Sequence, residues 1–574
     1  MMLTNAEIAA RLLEIRTLME MAGESFYKYG AYEKAAASVE NAPPLAGLVA
    51  TGEHLALPGI GKSIGAVIEQ LVRTGNAEQL RALHERFPPT LLEVLGVAGI
   101  GTKTAAMLYE EFGIASMNDL EAALRDGRLE GAPRIGARTL ENWRRSLLAY
   151  KGHLMRTPLA RARAIGGDVT GFLAQGPPLA RLTIAGSVRR HEETVGDIDL
   201  VCTSDEADAV TKHFTTWERA EAVVAEGPTK ASIWLKDGLQ IDLRVLPDDR
   251  YGNLLQHFTG SREHNIKLRE HAVRRGLRVS ENGIADLTTG DVDSMRDEAA
   301  VYERLGMAYV APEMRLGLDE IDLALNRALP VLVEMRDLRG DLHMHTRWSD
   351  GRDELEAMVA AAAARGYEYH SISDHSPSRG RFGLSAQRVR EQRREIEALR
   401  ERYGIFTLCS SEVDILEDGS LDYPSEILAE FDIVVASVHS AFDQSPREMT
   451  ERLVRACENP FANVIGHPTG RRFGEFEGYA FDCDAVFSAA ARTGTALEID
   501  GQQPRLDLNG TLARHAARFG VTFALDSDAH RVARLDGVEL ALGQARRAGL
   551  TKERVLNAKP LDELLEFVRA KRGP

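Results

Sequence analysis

Cysteine is scarce. The 574-residue chain has four, Cys202, Cys409, Cys457 and Cys483, with no CxxC pair and no knot-like spacing. That excludes a disulfide framework and implies reduced thiols in a cytoplasmic protein. Long apolar runs are missing too, so no segment is expected to span a bilayer. The N-terminal stretch "MMLTNAEIAARLLEIRTLMEMAG" carries charges throughout and reads as an amphipathic helix, not as a signal peptide. Positive charge is in deficit, with 70 Lys and Arg against 86 Asp and Glu and a net charge of -16. A chain coated in basic residues is therefore excluded. Any hold on nucleic acid must come from local features and metal ions. What is present is ample apolar sequence, enough length for about four domains, and no low-complexity segment.

The pattern changes along the chain. Helical periodicity with short glycine turns runs to about Gln175. "LARLTIAGS", "GDIDLVCTS" and "ASIWLKDGLQIDLRVL" then read as strands, with "KDG" as a hairpin turn. A mixed region follows from about Tyr251 to Arg315. "LGLDEIDLALNRALPVLVEMRDL" reads as a connecting segment, partly helical and broken at Pro330. From Arg339 strand-like pieces alternate with helices: "GDLHMHT", "YHSISDH", "FTLCSSEVD", "DIVVASVHS", "ANVIGHP", "TALEID" and "VTFALDSDAH". Seven such units predict a parallel barrel of the TIM type, one strand short.

Two constellations carry chemistry. In "GSVRRHEETVGDIDL", Asp197 and Asp199 are two apart, so a strand places both on one face with Ile198 turned to the core. "QIDLRV" offers Asp242 as a third carboxylate. Three converging carboxylates need a hard divalent cation between them, and Mg²⁺ prefers oxygen ligands and phosphates. The turn at Gly186 and Ser187, with its backbone N–H groups, hydroxyl and arginines, suits a triphosphate.

This part of the chain resembles the family X DNA polymerases, the polymerase beta relatives. The likeness extends to "HFTGSREHNIKLREHAVRRGL" and "LGMAYVAPEMR". By that resemblance Ser187 and Arg190 contact the incoming triphosphate, Gly260 and Asn265 lie along the nucleotide, and Arg269 stands near the templating base. Asp197 and Asp199 hold two Mg²⁺ or Mn²⁺ ions, with Asp242 on the catalytic one. Two departures stand out. His257 replaces an aromatic residue that helps exclude a ribose 2′-OH, and Gln240 replaces an arginine common in the animal enzymes.

"LPGIGKSIGAVIEQL" and "VAGIGTKTAAMLYEEFG" share a GIG turn that opens a helix, through Gly59 and Gly61 and through Gly99 and Gly101. Such turns aim unpaired N–H groups at a phosphate, here with Lys62 and Lys103 alongside. "APRIGARTLENW" is a weaker third copy, since Arg134 replaces the first glycine. "YKYGAYEKAAASV" resembles the small N-terminal domain of polymerase beta, and Lys28 matches a 5′-phosphate contact there. The position of that domain's Schiff-base lysine is Val67, which forms no imine, so deoxyribose-phosphate lyase activity is not carried over.

The second constellation lies in the barrel. His343 and His345 share one face of a strand end, and Asp350, His375, Glu412, His439, His467, Asp528 and His530 fall at or just beyond later strand ends. This spread resembles the PHP family, the polymerase and histidinol phosphatase type of metallophosphoesterase. The resemblance distributes the nine residues over three ions. His343, His345, Glu412 and Asp528 hold one; Glu412, His439 and His467 hold a second; Asp350, His375 and His530 hold a third. Mixed imidazole and carboxylate donors suit Zn²⁺, Mn²⁺ or Fe²⁺.

The expected architecture is multidomain α/β. It comprises a helix–hairpin–helix N-terminal region (1–85 and 86–150), a polymerase beta-like nucleotidyltransferase palm (151–250), a nucleotide-selection subdomain (251–317), a linker (318–338) and a distorted TIM-like (β/α)7 PHP barrel (339–574). The expected function is templated gap filling in DNA repair, including base excision repair. The barrel is expected to supply 3′→5′ exonuclease, 3′-phosphatase or abasic-site cleavage. The partners are gapped or primer-template DNA and dNTPs, and the protein is expected to be a cytoplasmic monomer. Two rivals remain: a template-independent nucleotidyltransferase fused to a small-molecule phosphatase, and a DNA-binding scaffold with dead sites.

Overall fold

The computed structural model describes residues 3–40, 42–43, 45–97, 99–132, 135–154 and 156–572. They form two compact units, Met1–Met155 and Arg156–Pro574. Among the described residues, no helix is long and apolar enough to cross a membrane.

The first unit is helical. Helix α1 (Asn5–Met21) starts at a Thr4–Glu7 capping box, which satisfies amides that the first turn leaves open. It packs on α2 (Phe26–Glu40). Helices α3 (Lys62–Thr74), α4 (Thr102–Phe112) and α5 (Ala137–Leu154) follow. One continuous apolar core runs from Ile8 to Leu147, and Val67 is buried in it.

In the second unit, helix α6 (Leu159–Leu173) covers a five-stranded sheet. Its strands are β1 (Arg181–Ile184), β2 (Asp197–Thr203), β3 (Ala220–Gly227), β4 (Lys230–Leu235) and β5 (Gln240–Leu246), in the order β1-β2-β5-β4-β3. Only the β2–β5 pair is parallel. Edge strand β3 is not among the strands expected above. It is half-buried and irregular in register, so its apolar alternation is blurred.

Helix α7 (Arg262–Arg274) and a small three-stranded antiparallel sheet come next. Glu298 joins this region to the five-stranded sheet. Its carboxylate accepts from Arg315 at 2.7 Å and from Arg189 at 2.9 and 2.7 Å, and Arg315 is fully buried. Burial pushes the Glu298 carboxyl up, but Arg315 and Arg189 outweigh it and hold the pKa at about 2. The stability this adds is complete above the ordinary value of 4.5 and fades as pH falls toward 2. Glu298→Ala leaves a buried guanidinium unpaired, so a loss of about 3–5 kcal/mol is expected in urea unfolding of the full chain. A loss under about 1 kcal/mol would show that the pair contributes no more than a surface one.

The barrel has seven parallel strands in consecutive order: β6 (Gly340–Asp341), β7 (Tyr369–Ile372), β8 (Phe406–Asp414), β9 (Ile433–Ser437), β10 (Val464–Ile465), β11 (Ala496–Asp500) and β12 (Phe523–Asp526). A Met344–Ala529 bridge brings the first and last segments together. Strand β6 is shorter than "GDLHMHT" suggests, and both histidines lie past its end.

The sheet domain and the barrel share side chains. Leu506 and Leu540 of the barrel sit in the core of the five-stranded sheet. Arg547, at the end of α8 (Val538–Arg547), donates to the Arg190 carbonyl at 2.7 Å and to Glu192 at 2.9 Å. Arg471 pairs with Glu193 at 2.6 Å.

Candidate active sites

The first site is set by register. In the parallel β2–β5 pair, Asp199 lies opposite Asp242 and Asp197 opposite Gln240. Ile198, between the two aspartates, is fully buried on the other face. Burial, then Asp197 and Asp242, raise the Asp199 pKa to about 7 against the pull of Arg190. The three acids therefore cannot all be ionised cheaply at neutral pH without added positive charge. Gln240 Nε2 donates to both Asp242 oxygens, at 3.0 and 2.9 Å, and the Ser232 hydroxyl also donates to Asp242. Trp234 Nε1 in turn donates to Gln240 Oε1 at 3.0 Å. Gln240, noted above only as a departure, is thus the residue that orients the third carboxylate.

Gly186 has φ +58, and a Cβ there would lie 2.1 Å from Asp199 Oδ2, so only glycine fits beside the acids. The Ser187 hydroxyl and Arg190 Nε are buried without a hydrogen-bond partner. Burial lowers the Arg190 pKa despite Glu192 nearby. Arg190 Nη1 donates to the Thr259 carbonyl at 2.5 Å, and a Cβ on Gly260 would lie 3.1 Å from that same nitrogen. Asn265 is turned inward. It donates to the His257 carbonyl at 2.9 Å and accepts from Gln256 at 2.8 Å. Arg269, one turn on and exposed, lies 3.4 Å from His257 Nδ1. Donors of this kind, hard carboxylate oxygens beside a hydroxyl and a guanidinium Nε without partners, fit divalent cations and a polyphosphate.

In the helical unit Gly59 (φ +79) and Gly99 (φ +91) adopt the left-handed turn, while Gly61 and Gly101 cap α3 and α4. The open amides of both first turns thus follow a glycine turn, with exposed Lys62 and Lys103 beside them. Lys28 is exposed and paired with Glu24 at 2.8 Å. Arg134 of the third copy lies outside the described residues.

The second site gathers all nine barrel residues around Glu412. Glu412 lies 2.7 Å from His467, 3.2 Å from His439, 3.1 Å from His375, and 3.4 Å from both His343 and His345. Asp528 stands 3.1 Å from His345, and Asp350 3.3 Å from His375 and 3.4 Å from His530. Three tight groups result: His343, His345 and Asp528; His375, Glu412 and His439; and His345, Asp350, His375 and His530. His345 and His375 each join two groups, and His467 approaches the second through Glu412.

These groups call for cations. His345 Nδ1 and His467 Nδ1 are buried without a hydrogen-bond partner. Burial would push His343 down, yet Glu498 and Glu412 outweigh it and its pKa stands well above the ordinary value. Two of the ligand-type residues hold strained backbone, His467 at φ +27 and Asp528 at φ +44. The mixed donors fit divalent metal ions.

Two carboxylates behind this shell escaped the sequence reading. Glu498 lies 2.6 Å from His343 Nδ1, and Asp414 lies 2.8 Å from His439 Nδ1. Such partners fix the ring orientation of metal-binding histidines. Asp414 carried a signal, being two residues after Glu412 on the same strand face. The cavity in front of the shell is about 470 Å³ and is lined by six arginines, 352, 379, 472, 505, 531 and 534.

Similarity to known proteins agrees with this division. The chain matches the helix-hairpin-helix domain over residues 3–77, the SAM-like helix-hairpin-helix tandem over 91–147, the DNA polymerase beta thumb over 254–316 and the PHP domain over 341–500. It is 34% identical over 564 residues to the "DNA polymerase/3'-5' exonuclease PolX" of Bacillus subtilis, covering 97% of this chain and 98% of that one. Shorter stretches of the chain match proteins named "Probable phosphatase". That of a Thermoanaerobacter species is 32% identical over 29% of this chain and 70% of its own, and that of Syntrophotalea carbinolica 28% over 40% and 95%. The chain belongs to the bacterial family X DNA polymerases of the PolX kind, a polymerase beta-like core followed by a PHP domain.

Proposed function

We propose that the protein fills gaps in DNA during repair, base excision repair included, and trims DNA 3′ ends with its barrel. The observation that carries this reading is two separate acidic cages in one chain that matches a polymerase–exonuclease from end to end. Gapped or primer-template DNA and dNTPs are the substrates, and the protein acts as a cytoplasmic monomer. The boundaries set out above, 1–85, 86–150, 151–250, 251–317, 318–338 and 339–574, assign DNA grip to the first two segments and each chemistry to its own domain.

In the palm, Asp197, Asp199 and Asp242 would hold two Mg²⁺ or Mn²⁺ ions, and such ions would supply positive charge against the phosphates and lower the pKa of the attacking hydroxyl. Asp242, fixed by Gln240 and Ser232, takes the proton of the primer 3′-hydroxyl. The Ser187 hydroxyl, the turn amides at Gly186 and the Arg190 guanidinium bind the triphosphate. Gly260 leaves the nucleotide room beside Arg190, Asn265 supports the His257 carbonyl along it, and Arg269 faces the templating base. Lys28, Gly59, Gly61, Lys62, Gly99, Gly101 and Lys103 hold DNA phosphates.

In the barrel the nine donors would hold three Zn²⁺, Mn²⁺ or Fe²⁺ ions, which would supply Lewis acidity toward a phosphate and its attacking water. Glu498 and Asp414 keep His343 and His439 in register for this. The rim arginines balance the charge of the incoming strand. Cleavage of 3′-phosphates or abasic sites would use the same centre.

The test is end-labelled gapped DNA with Mn²⁺, with and without dNTPs. With dNTPs the primer gains the templated nucleotide; without them it shortens from the 3′ end. The named phosphatases that match part of the chain favour a second reading, an untemplated transferase joined to a small-molecule phosphatase. Untemplated addition and an unshortened primer would establish that reading instead.

A further inference from the structure

A second cavity, also of about 470 Å³, opens beside the metal-type cavity and is walled by both domains. Ala160, Arg163 and Ala164 of α6 form one side. Gly501 to Gln503, Ser527 and the segment from Ala533 to Leu540 form the other. The two cavities share Gln502, Gln503 and Arg534. Gln502 ties them together, donating to the Asp528 carbonyl at 2.6 Å and lying 3.1 Å from His530 Nδ1.

The chemistry of the walls is divided. Ala160, Ala164, Ala533 and Leu540 are aliphatic and suit the flat faces of a ring. Among them stands an amide with nothing to bond: both Oε1 and Nε2 of Gln503 are buried without a hydrogen-bond partner. An amide offering a free donor and a free acceptor can read the edge of a nucleobase. Buried polar atoms without partners call for a ligand or water to satisfy them. The floor is tight, since a Cβ on Gly501 would lie 1.9 Å from the Gly537 carbonyl oxygen. The volume falls in the range of small-molecule pockets.

We propose that this cavity is the nucleoside subsite of the nuclease. It holds the sugar and base of the 3′-terminal deoxynucleotide while the phosphate on its 5′ side lies in the adjoining metal-type cavity. The inference rests on the barrel being a 3′→5′ nuclease. Water adds to that phosphorus, the bond to the O3′ of the preceding nucleotide breaks, that oxygen leaves with a proton, and a deoxynucleoside 5′-monophosphate is released. One wall belongs to α6 of the polymerase core, so the barrel's choice of substrate depends on the domain in front of it.

Ala164 and Ala533 are exposed and face the cavity from opposite sides. Ala164→Trp and Ala533→Trp fill it without touching a metal-type donor. In the Mn²⁺-loaded full-length protein, each is expected to raise KM for resection of single-stranded DNA about tenfold. Each also weakens calorimetric binding of dAMP by about the same factor. Hydrolysis of bis(p-nitrophenyl) phosphate, which needs only the metal centre, stays at the wild-type rate. Unchanged resection and dAMP binding in both variants would overturn the proposal, as would an equal loss of small-diester hydrolysis. Wild-type protein that cleaves the small diester but never shortens DNA would show instead that the nuclease reading itself fails, and the subsite with it.

Discussion

Asp199→Ala abolishes nucleotide incorporation, by at least about 10³-fold in kcat, and leaves the affinity for gapped DNA within about twofold. The size of the effect follows from where the carboxylate stands. Asp199 faces Asp242 across the only parallel strand pair of the sheet, and Gly186 is pressed against its oxygen. DNA affinity is expected to be spared because the glycine turns proposed to grip DNA phosphates lie in Met1–Met155, a separately packed unit. Asp199→Asn is the sharper control. It keeps the shape, removes the charge that raises the repulsion among the three acids, and is expected to be as inactive as the alanine variant. Primer extension on gapped DNA and a filter-binding titration read the two quantities. Normal extension by either variant would remove the triad from the chemistry.

Much of this site was legible before any coordinates because its logic is local. A strand repeats every two residues, so Asp197 and Asp199 had to share a face and Ile198 had to be buried. The pairing partner of β2 was less accessible: the hairpin pointed to Asp242, but its position directly across from Asp199 is a matter of register. Gln240 shows the limit of residue-by-residue comparison. By comparison it was only a departure from arginine, whereas in space it clamps Asp242 and is itself held by Trp234. The barrel histidines were legible as a set because they recur at strand ends. Their grouping was not, since sequence order cannot say that His345 and His375 each stand between two groups. Glu498 was hidden for a different reason. It sits in "TALEID", where a buried acid in an apolar strand has no meaning until His343, 155 residues away, is seen against it. The shared core of Leu506 and Leu540 was likewise invisible, because a leucine does not announce which domain it serves.

The second large effect is in the barrel. The double variant His343→Ala, His345→Ala is expected to lose 3′→5′ degradation by at least about 10³-fold and to retain primer extension within about twofold. It is also expected to bind fewer metal ions per chain by elemental analysis. Both residues belong to the group with Asp528, and His345 also belongs to the group with Asp350, His375 and His530, so two of the three clusters are broken at once. Removing them also leaves Glu498 buried without its imidazole partner, which threatens the fold of the barrel itself. Extension answers that concern. The core of the polymerase sheet contains Leu506 and Leu540, and Arg547 holds the carbonyl of Arg190 beside the Gly186–Ser187 turn. A collapsed barrel would take those supports away and polymerisation would fall with the nuclease. Loss of degradation with extension intact therefore places the damage in the metal centre. A variant that still shortened primers at the wild-type rate would assign that activity elsewhere in the chain, and His343→Gln, which keeps a side-chain donor toward Glu498, would then separate a structural role for this pair from a chemical one.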